Sequence, residues 1–238
     1  MPHRNYLSNE PILMQLILRE YIETCRVIKP TLRFLKKELK REWSFNDFQP
    51  VLDKITTSIF AIGGPCKRPL FTTPWNQKQG HLEILEDYSY LLALNTERNN
   101  PTYFVLHQDI QSARVSVKQC LRLLQLWDCQ SSMFMETIDP SQIQVCLSEL
   151  YDHIKKIGNS LSTVLQFGGM NENVALFFLR HHQEIMNAVG KRFFRETLKK
   201  IFPSGATKAQ IELKKRLKKR GFEHLIEPIP DLFKKVKL

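Results

Sequence analysis

Apolar residues recur every three or four positions along most of the chain, which is the spacing of a helix with one buried face. The segment between Asp139-Pro140 and Gly168-Gly169 shows this pattern without interruption. The chain has only 9 glycines, which favours helices over a β architecture with glycine-rich turns. The pattern therefore predicts an all-α protein. The apolar positions of that segment are Ile143, Cys146, Leu147, Leu150, Ile154, Ile157 and Leu161.

Capping residues, prolines and glycine pairs predict where each helix begins and ends. Ser8 and Asn9 precede Pro11, an arrangement typical of a helix start, and Lys29-Pro30 is predicted to end that first helix. The fold expected is a compact multi-helix bundle of about seven or eight helices with a basic C-terminal helical extension. The first seven predicted helices span residues 11–29, 31–43, 44–62, 80–96, 101–128, 140–168 and 171–190.

Four finer expectations follow from the same pattern. The fifth helix, over 101–128, is long enough to be the central helix of the bundle. Gly158 is a candidate kink in the sixth helix. The apolar face of the fourth helix includes Tyr88 and Leu91, and His181 lies on the apolar stripe of the seventh helix, where a core histidine is expected.

Composition narrows the class of protein. The chain of 238 residues is 42% hydrophobic and 25% charged, as in globular proteins. Its five cysteines are an odd number without a C-x-x-C pair, so reduced thiols in the cytoplasm or nucleus are expected and no metal is implied. The apolar stretch Pro11 to Leu18 is too short to span a bilayer and lacks a cleavage site. We therefore expect an intracellular protein without a signal peptide or transmembrane segment.

Positive charge is concentrated at one end of the chain. Residues 191–238 contain 15 Lys or Arg and 5 Asp or Glu, whereas residues 1–190 contain 20 and 19. Such an asymmetry favours an anionic partner. It also predicts a division into a neutral helical body, 1–190, and a basic helical extension, 191–238, packed on that body.

The strongest cationic element within the extension is a predicted helix from Lys208 to Arg220. Projected at 100° per residue, most of its lysines cover one broad arc, and Gly221 follows as a C′ residue. A second basic cluster, 29–41, is weaker because Glu38 and Glu42 can pair with its cations. The predicted partner-binding residues are Lys191, Arg192, Arg195, Lys199, Lys208, Lys214, Lys215, Lys218, Lys219 and Arg220.

Motifs that would indicate catalysis are missing from the sequence. It contains no G-x-S-x-G nucleophile motif and no glycine-rich phosphate loop. His181-His182 with Glu184, and Glu149 with His153, are the only combinations that suggest metal or acid–base chemistry, and the further ligands of a di-iron bundle are lacking. We predict no catalytic residue, no metal and no cofactor.

The sequence therefore leaves several functions open. The first is a non-enzymatic helical interaction or adaptor protein that binds an acidic protein through the basic surface. The alternative is nucleic-acid binding by the same surface, with Phe193, Phe194 or Phe222 stacking on bases. An enzyme built on a helical bundle is the third hypothesis, and an anionic membrane is a less favoured partner.

Overall fold

The computed structural model describes residues 10–40, 45–63, 80–94, 101–130, 140–167 and 172–201, together with 215, 218, 219 and 221. Within these ranges the chain forms eight α-helices and no strand. The predicted all-α class is confirmed. The helices are α1 (Glu10–Glu38), α2 (Phe45–Gly63), α3 (His81–Leu94), α4 (Pro101–Gln130), α5 (Pro140–Phe167), α6 (Glu172–Arg180), α7 (His182–Ala188) and α8 (Lys191–Ile201).

Helix α1 continues through Pro30, so the predicted break between the first two helices is wrong. Proline removes one backbone hydrogen bond, that to the carbonyl of Arg26. Arg26 and Pro30 are both exposed, which leaves this carbonyl on the solvent side of the helix. The core side is unbroken, because Ile28, Leu32 and Leu35 are buried there. The result is one helix of 29 residues.

The central helix of the bundle is α1 and not α4. Helix α1 packs against α2, α3, α5, α6 and α7, whereas α4 packs against α2, α3 and α5. The expectation that the helix over 101–128 is central was based on its length. Because α1 continues through Pro30, the two helices have similar lengths, 29 and 30 residues, and length does not decide which of them is central.

Helix α5 carries its predicted apolar stripe on a buried face, with only Cys146 partly exposed. The helix is continuous through Gly158, and the kink expected there stays a prediction. A Cβ at Gly158 would lie 2.2 Å from the Tyr21 hydroxyl. Glycine is therefore needed at this position for the close approach of α1 and α5.

The buried face of α3 is rotated from the prediction. Leu91 is 44% exposed and Tyr88 is partly exposed, whereas Ser89 is buried. The Ser89 hydroxyl donates to the Glu86 carbonyl at 3.0 Å and lies 2.9 Å from His107 Nδ1. A serine with these partners can be buried, and hydrophobicity alone did not reveal this.

The predicted helix over 171–190 is two helices, α6 and α7, with His181 between them in a turn. His181 is not a core residue. Its side chain is 37% exposed, and its Nδ1 lies 3.2 Å from Glu184 Oε2. Gly190 follows α7 with φ of 126°, a backbone conformation that favours glycine, and the chain then enters α8.

Helix α8 buries its apolar face against α5 and α7. The Phe194 ring stacks on Phe178 with centroids 5.1 Å apart. The Thr197 hydroxyl donates to the Ser162 hydroxyl at 3.3 Å, and Leu198 is buried. The first helix of the basic segment is thus anchored in the bundle, while the division of the chain at residue 190 stays a prediction.

Candidate cationic interaction site

A lysine of α1 caps the carboxyl end of α7. Lys29 Nζ donates a hydrogen bond to the Val189 carbonyl, which lies just beyond the last turn of α7. Carbonyls at a helix end carry partial negative charge and attract cations. Lys29 therefore ties the middle of α1 to the point where the chain turns toward α8.

The same contact places Lys29, from the first basic cluster, beside the start of the C-terminal basic segment. A Cβ at Gly190 would lie 3.7 Å from Lys29 Nζ, and the exposed cations Lys191 and Arg192 follow directly. On the α1 side, Arg33 lies one turn beyond Lys29. We call Arg26, Lys29, Arg33, Lys191 and Arg192 the cationic junction.

A small cavity opens at the α1–α7 side of the cationic junction. Its volume is about 250 Å³, below the range of about 300–1,000 Å³ usual for small-molecule sites. It is large enough for a side chain. Its lining residues are Cys25, Arg26, Lys29, Pro30, Arg33, Glu184, Asn187 and Ala188.

Burial changes the electrostatics of this cavity. The pKa of Lys29 is lowered because the ammonium group is partly desolvated, and nearby Arg33 lowers it further. A desolvated cation beside a second cation gains more from an approaching anion than an exposed one does. Burial also raises the pKa of the Cys25 thiol to about 11, so this thiol is protonated at neutral pH.

Carboxylates are interspersed among the cations. Arg26 lies 2.7 Å from Glu23 and 3.8 Å from Glu184. Arg192 lies 2.8 Å from Glu196 on α8. The site is therefore a patterned surface with both signs of charge rather than a uniformly positive one.

The structure describes six of the predicted partner-binding cations with their side chains. Lys191 and Arg192 are exposed and belong to the cationic junction, whereas Arg195 is half-buried. Lys215, Lys218 and Lys219 are helical and exposed. Lys199 belongs to α8. Lys208, Lys214 and Arg220 lie outside the described residues.

The glycine expected after the basic helix has the backbone conformation of a helix-ending residue. Gly221 has φ of 77° and donates its N–H to the Lys218 carbonyl at 3.0 Å. This geometry is typical of a C′ glycine. Most of the predicted helix over 208–220 falls outside the described residues.

Sequence reasoning missed the contribution of α1 to this site. Arg26, Lys29 and Arg33 have the i, i+3, i+7 spacing of one helix face, and that spacing is visible in the sequence. The predicted break at Pro30 separated Arg33 from the other two. The cluster over 29–41 was considered the weaker basic segment because Glu38 and Glu42 can pair with its cations.

Two of the three aromatic residues proposed to stack on bases, Phe193 and Phe194, pack against the core of the bundle. Phe194 is 1% exposed between α8 and its neighbours. Phe193 is partly buried, with its ring centroid 5.7 Å from that of Tyr21. Phe222 lies outside the described residues. The Phe194 ring is therefore not accessible to a base in this structure.

Comparison of the chain with family models, with curated proteins and with solved structures finds no match. Among the residues that the structure describes, no helix is long and apolar enough to cross a membrane. The same part of the chain contains no group of three His, Cys, Asp or Glu side chains that could hold a metal ion.

Proposed function

We propose that this protein is a non-enzymatic helical interaction protein that binds an acidic protein partner through the cationic junction. The observation that carries the proposal is the contact of Lys29 with the Val189 carbonyl. This contact places Lys29 of α1 next to the residues that lead into the exposed cations Lys191 and Arg192. The exposed Lys215, Lys218 and Lys219 extend the basic character of the C-terminal segment.

Three features favour an acidic protein over a polyanion. The carboxylates of Glu23, Glu184 and Glu196 pair with Arg26 and Arg192, whereas a phosphate backbone is best matched by an uninterrupted positive surface. The cavity, of about 250 Å³, is large enough to receive a carboxylate side chain. The buried Phe194 removes one of the stacking contacts that nucleic-acid binding would use.

In this proposal the cavity receives an acidic side chain of the partner. Lys29 supplies a positive charge that is already partly desolvated, so less hydration is lost when the carboxylate enters. Arg33 presents a planar group that can bind a carboxylate through two hydrogen bonds. The exposed Lys191 and Arg192 steer the partner toward the site.

The test measures binding of the full chain to three probes, the first two by fluorescence anisotropy and the third by co-sedimentation. These are a labelled Glu-rich peptide, a labelled single-stranded oligonucleotide of the same net charge, and labelled vesicles containing phosphatidylserine. We expect saturable binding of the peptide with defined stoichiometry and weaker binding of the other two. A control variant, Lys118→Glu/Arg122→Glu, reverses two exposed cations of α4 away from the site and should bind the peptide like wild type.

Tighter binding of the oligonucleotide, with affinity falling steeply and log-linearly with salt, would replace this proposal with the nucleic-acid alternative. Tighter binding of the vesicles would indicate a membrane partner. If none of the three probes binds, the cationic junction is not a binding site. If the Lys118→Glu/Arg122→Glu control loses peptide binding, binding is not specific to the cationic junction.

A further inference from the structure

Two cysteines from different helices lie in contact, one in the second half of α4 and one near the start of α5. Cys120 Sγ on α4 is 2.7 Å from Cys146 Sγ on α5. Cys120 is buried and Cys146 is half-buried. Helices α4 and α5 form the most extensive helix pair of the bundle, so the neighbouring structure holds the two sulfurs close together.

The third cysteine that the structure describes, Cys25, is buried, whereas Cys146 is half-buried. Cys25 on α1 is 2% exposed, and burial raises its pKa to about 11. It lies at the α1–α7 cavity, on a helix other than the two that carry the pair. A thiol that stays protonated and shielded reacts slowly with oxidants. Cys25 is therefore an internal reference for the pair.

We propose that Cys120 and Cys146 form a reversible redox pair, which a hydroperoxide oxidises to a disulfide that links α4 to α5. This assigns a modification site separate from the cationic junction and independent of the proposed function. The half-buried Cys146 is the sulfur that meets the oxidant first, and the buried Cys120 is the resolving thiol.

The electronic asymmetry of the pair agrees with these roles. The hydrogen bond from the Cys120 thiol lowers the pKa of Cys146, which favours the reactive thiolate. The same hydrogen bond and burial raise the pKa of Cys120, so Cys120 keeps its proton until the second step.

The chemistry balances with one hydroperoxide. The Cys146 thiolate attacks one peroxide oxygen, the O–O bond breaks, and a sulfenic acid forms on Cys146 as the other oxygen leaves as water or alcohol. The Cys120 sulfur then attacks the Cys146 sulfur, the S–O bond breaks, and the oxygen leaves as water with the Cys120 proton. The two thiols lose two electrons, and the peroxide gains them.

The disulfide would close a loop that includes the end of α4, residues 131–139 and the start of α5. Closing a loop in the unfolded chain raises the stability of the folded state relative to it. For a chain of this size we expect the oxidised protein to melt about 5–10 °C above the reduced protein.

The experiment treats the full chain with hydrogen peroxide and maps disulfides by mass spectrometry of unreduced peptides. Because Cys129 lies in the same tryptic peptide as Cys146, the mapping uses a Cys66→Ser/Cys129→Ser background as well as wild type. We expect a Cys120–Cys146 link, a mass lower by two hydrogen atoms, the higher melting temperature, and reversal of all three by dithiothreitol.

Two further variants, made in that same background, separate chemistry from folding. Cys146→Ser removes the half-buried sulfur and should keep the reduced melting temperature while losing the peroxide-induced rise. Cys25→Ser, the matched control, should still form the link. The proposal is overturned if peroxide leaves both thiols free in folded protein, carries Cys146 to sulfinic acid without a link, or joins either cysteine to a different partner.

Discussion

Helices α5 and α8 are both amphipathic, but their residues serve different ends. In α5 an unbroken stripe from Ile143 to Leu161 is buried, and Gly158 allows contact with Tyr21. In α8 the buried face is short and holds Phe194, Thr197 and Leu198, while the first two residues are exposed cations. Helix α5 therefore contributes a long face to the core of the bundle. Helix α8 buries only a short face, and this face fixes the position of the exposed cations at its start.

The largest effect is expected in the α5 core. Leu150 is fully buried, so Leu150→Ala should destabilise the protein by about 2–5 kcal/mol, as should Leu147→Ala. Val145 on the same helix is 57% exposed, and Val145→Ala should change stability by less than about 0.5 kcal/mol. Urea titration measures the free energy of unfolding of all three variants. Equal midpoints for wild type and the two leucine variants would show that the α5 stripe is not a core.

A smaller effect tests the close approach of α1 and α5. Gly158→Ala places a Cβ 2.2 Å from the Tyr21 hydroxyl, and overpacking of this kind costs about 1–3 kcal/mol. The gain in helix propensity, about 1 kcal/mol, offsets part of that cost. The free energy of unfolding from urea titration should therefore fall by about 1 kcal/mol.

The second substitution Tyr21→Phe removes the atom that clashes and sharpens this test. In a Tyr21→Phe background, Gly158→Ala should cost less than it does in wild type, because the nearest atom is gone. If the cost of Gly158→Ala is the same in both backgrounds, contact with Tyr21 does not explain the glycine.

The smallest effect on stability is expected from the exposed C-terminal cations. Lys215→Glu/Lys219→Glu reverses two exposed charges, and exposed charges contribute little to folding. The melting temperature, followed by circular dichroism, should move by no more than about 2 °C. A larger fall would mean that this segment supports the fold in the way α5 does.

Hydrophobic periodicity predicted most helices of the bundle and the buried face of α5, because a helix that buries one face must repeat apolar residues at its own period. The periodicity gave wrong predictions at two positions whose structure depends on neighbouring residues or on solvent exposure. Pro30 is tolerated because it lies on the exposed side of α1, and Ser89 is buried because Glu86 and His107 supply its hydrogen bonds.

The candidate site was predicted only in part for a related reason. Charge counting along the chain found Lys191 and Arg192. The contribution of Lys29 depends on a contact with Val189, far along the sequence, and periodicity carries no information on which helices become neighbours. The pairing of Cys120 with Cys146 was missed for the same reason.

The central claim is that the cations of α1 and α8 act as one surface. The direct test compares two single variants, Arg33→Glu on α1 and Arg192→Glu on α8, for their affinity for the Glu-rich peptide. Each should weaken binding about tenfold, which corresponds to about 1.4 kcal/mol, while Arg122→Glu on α4 stays near wild type. If Arg192→Glu weakens binding and Arg33→Glu binds like wild type, the two basic segments do not form one site.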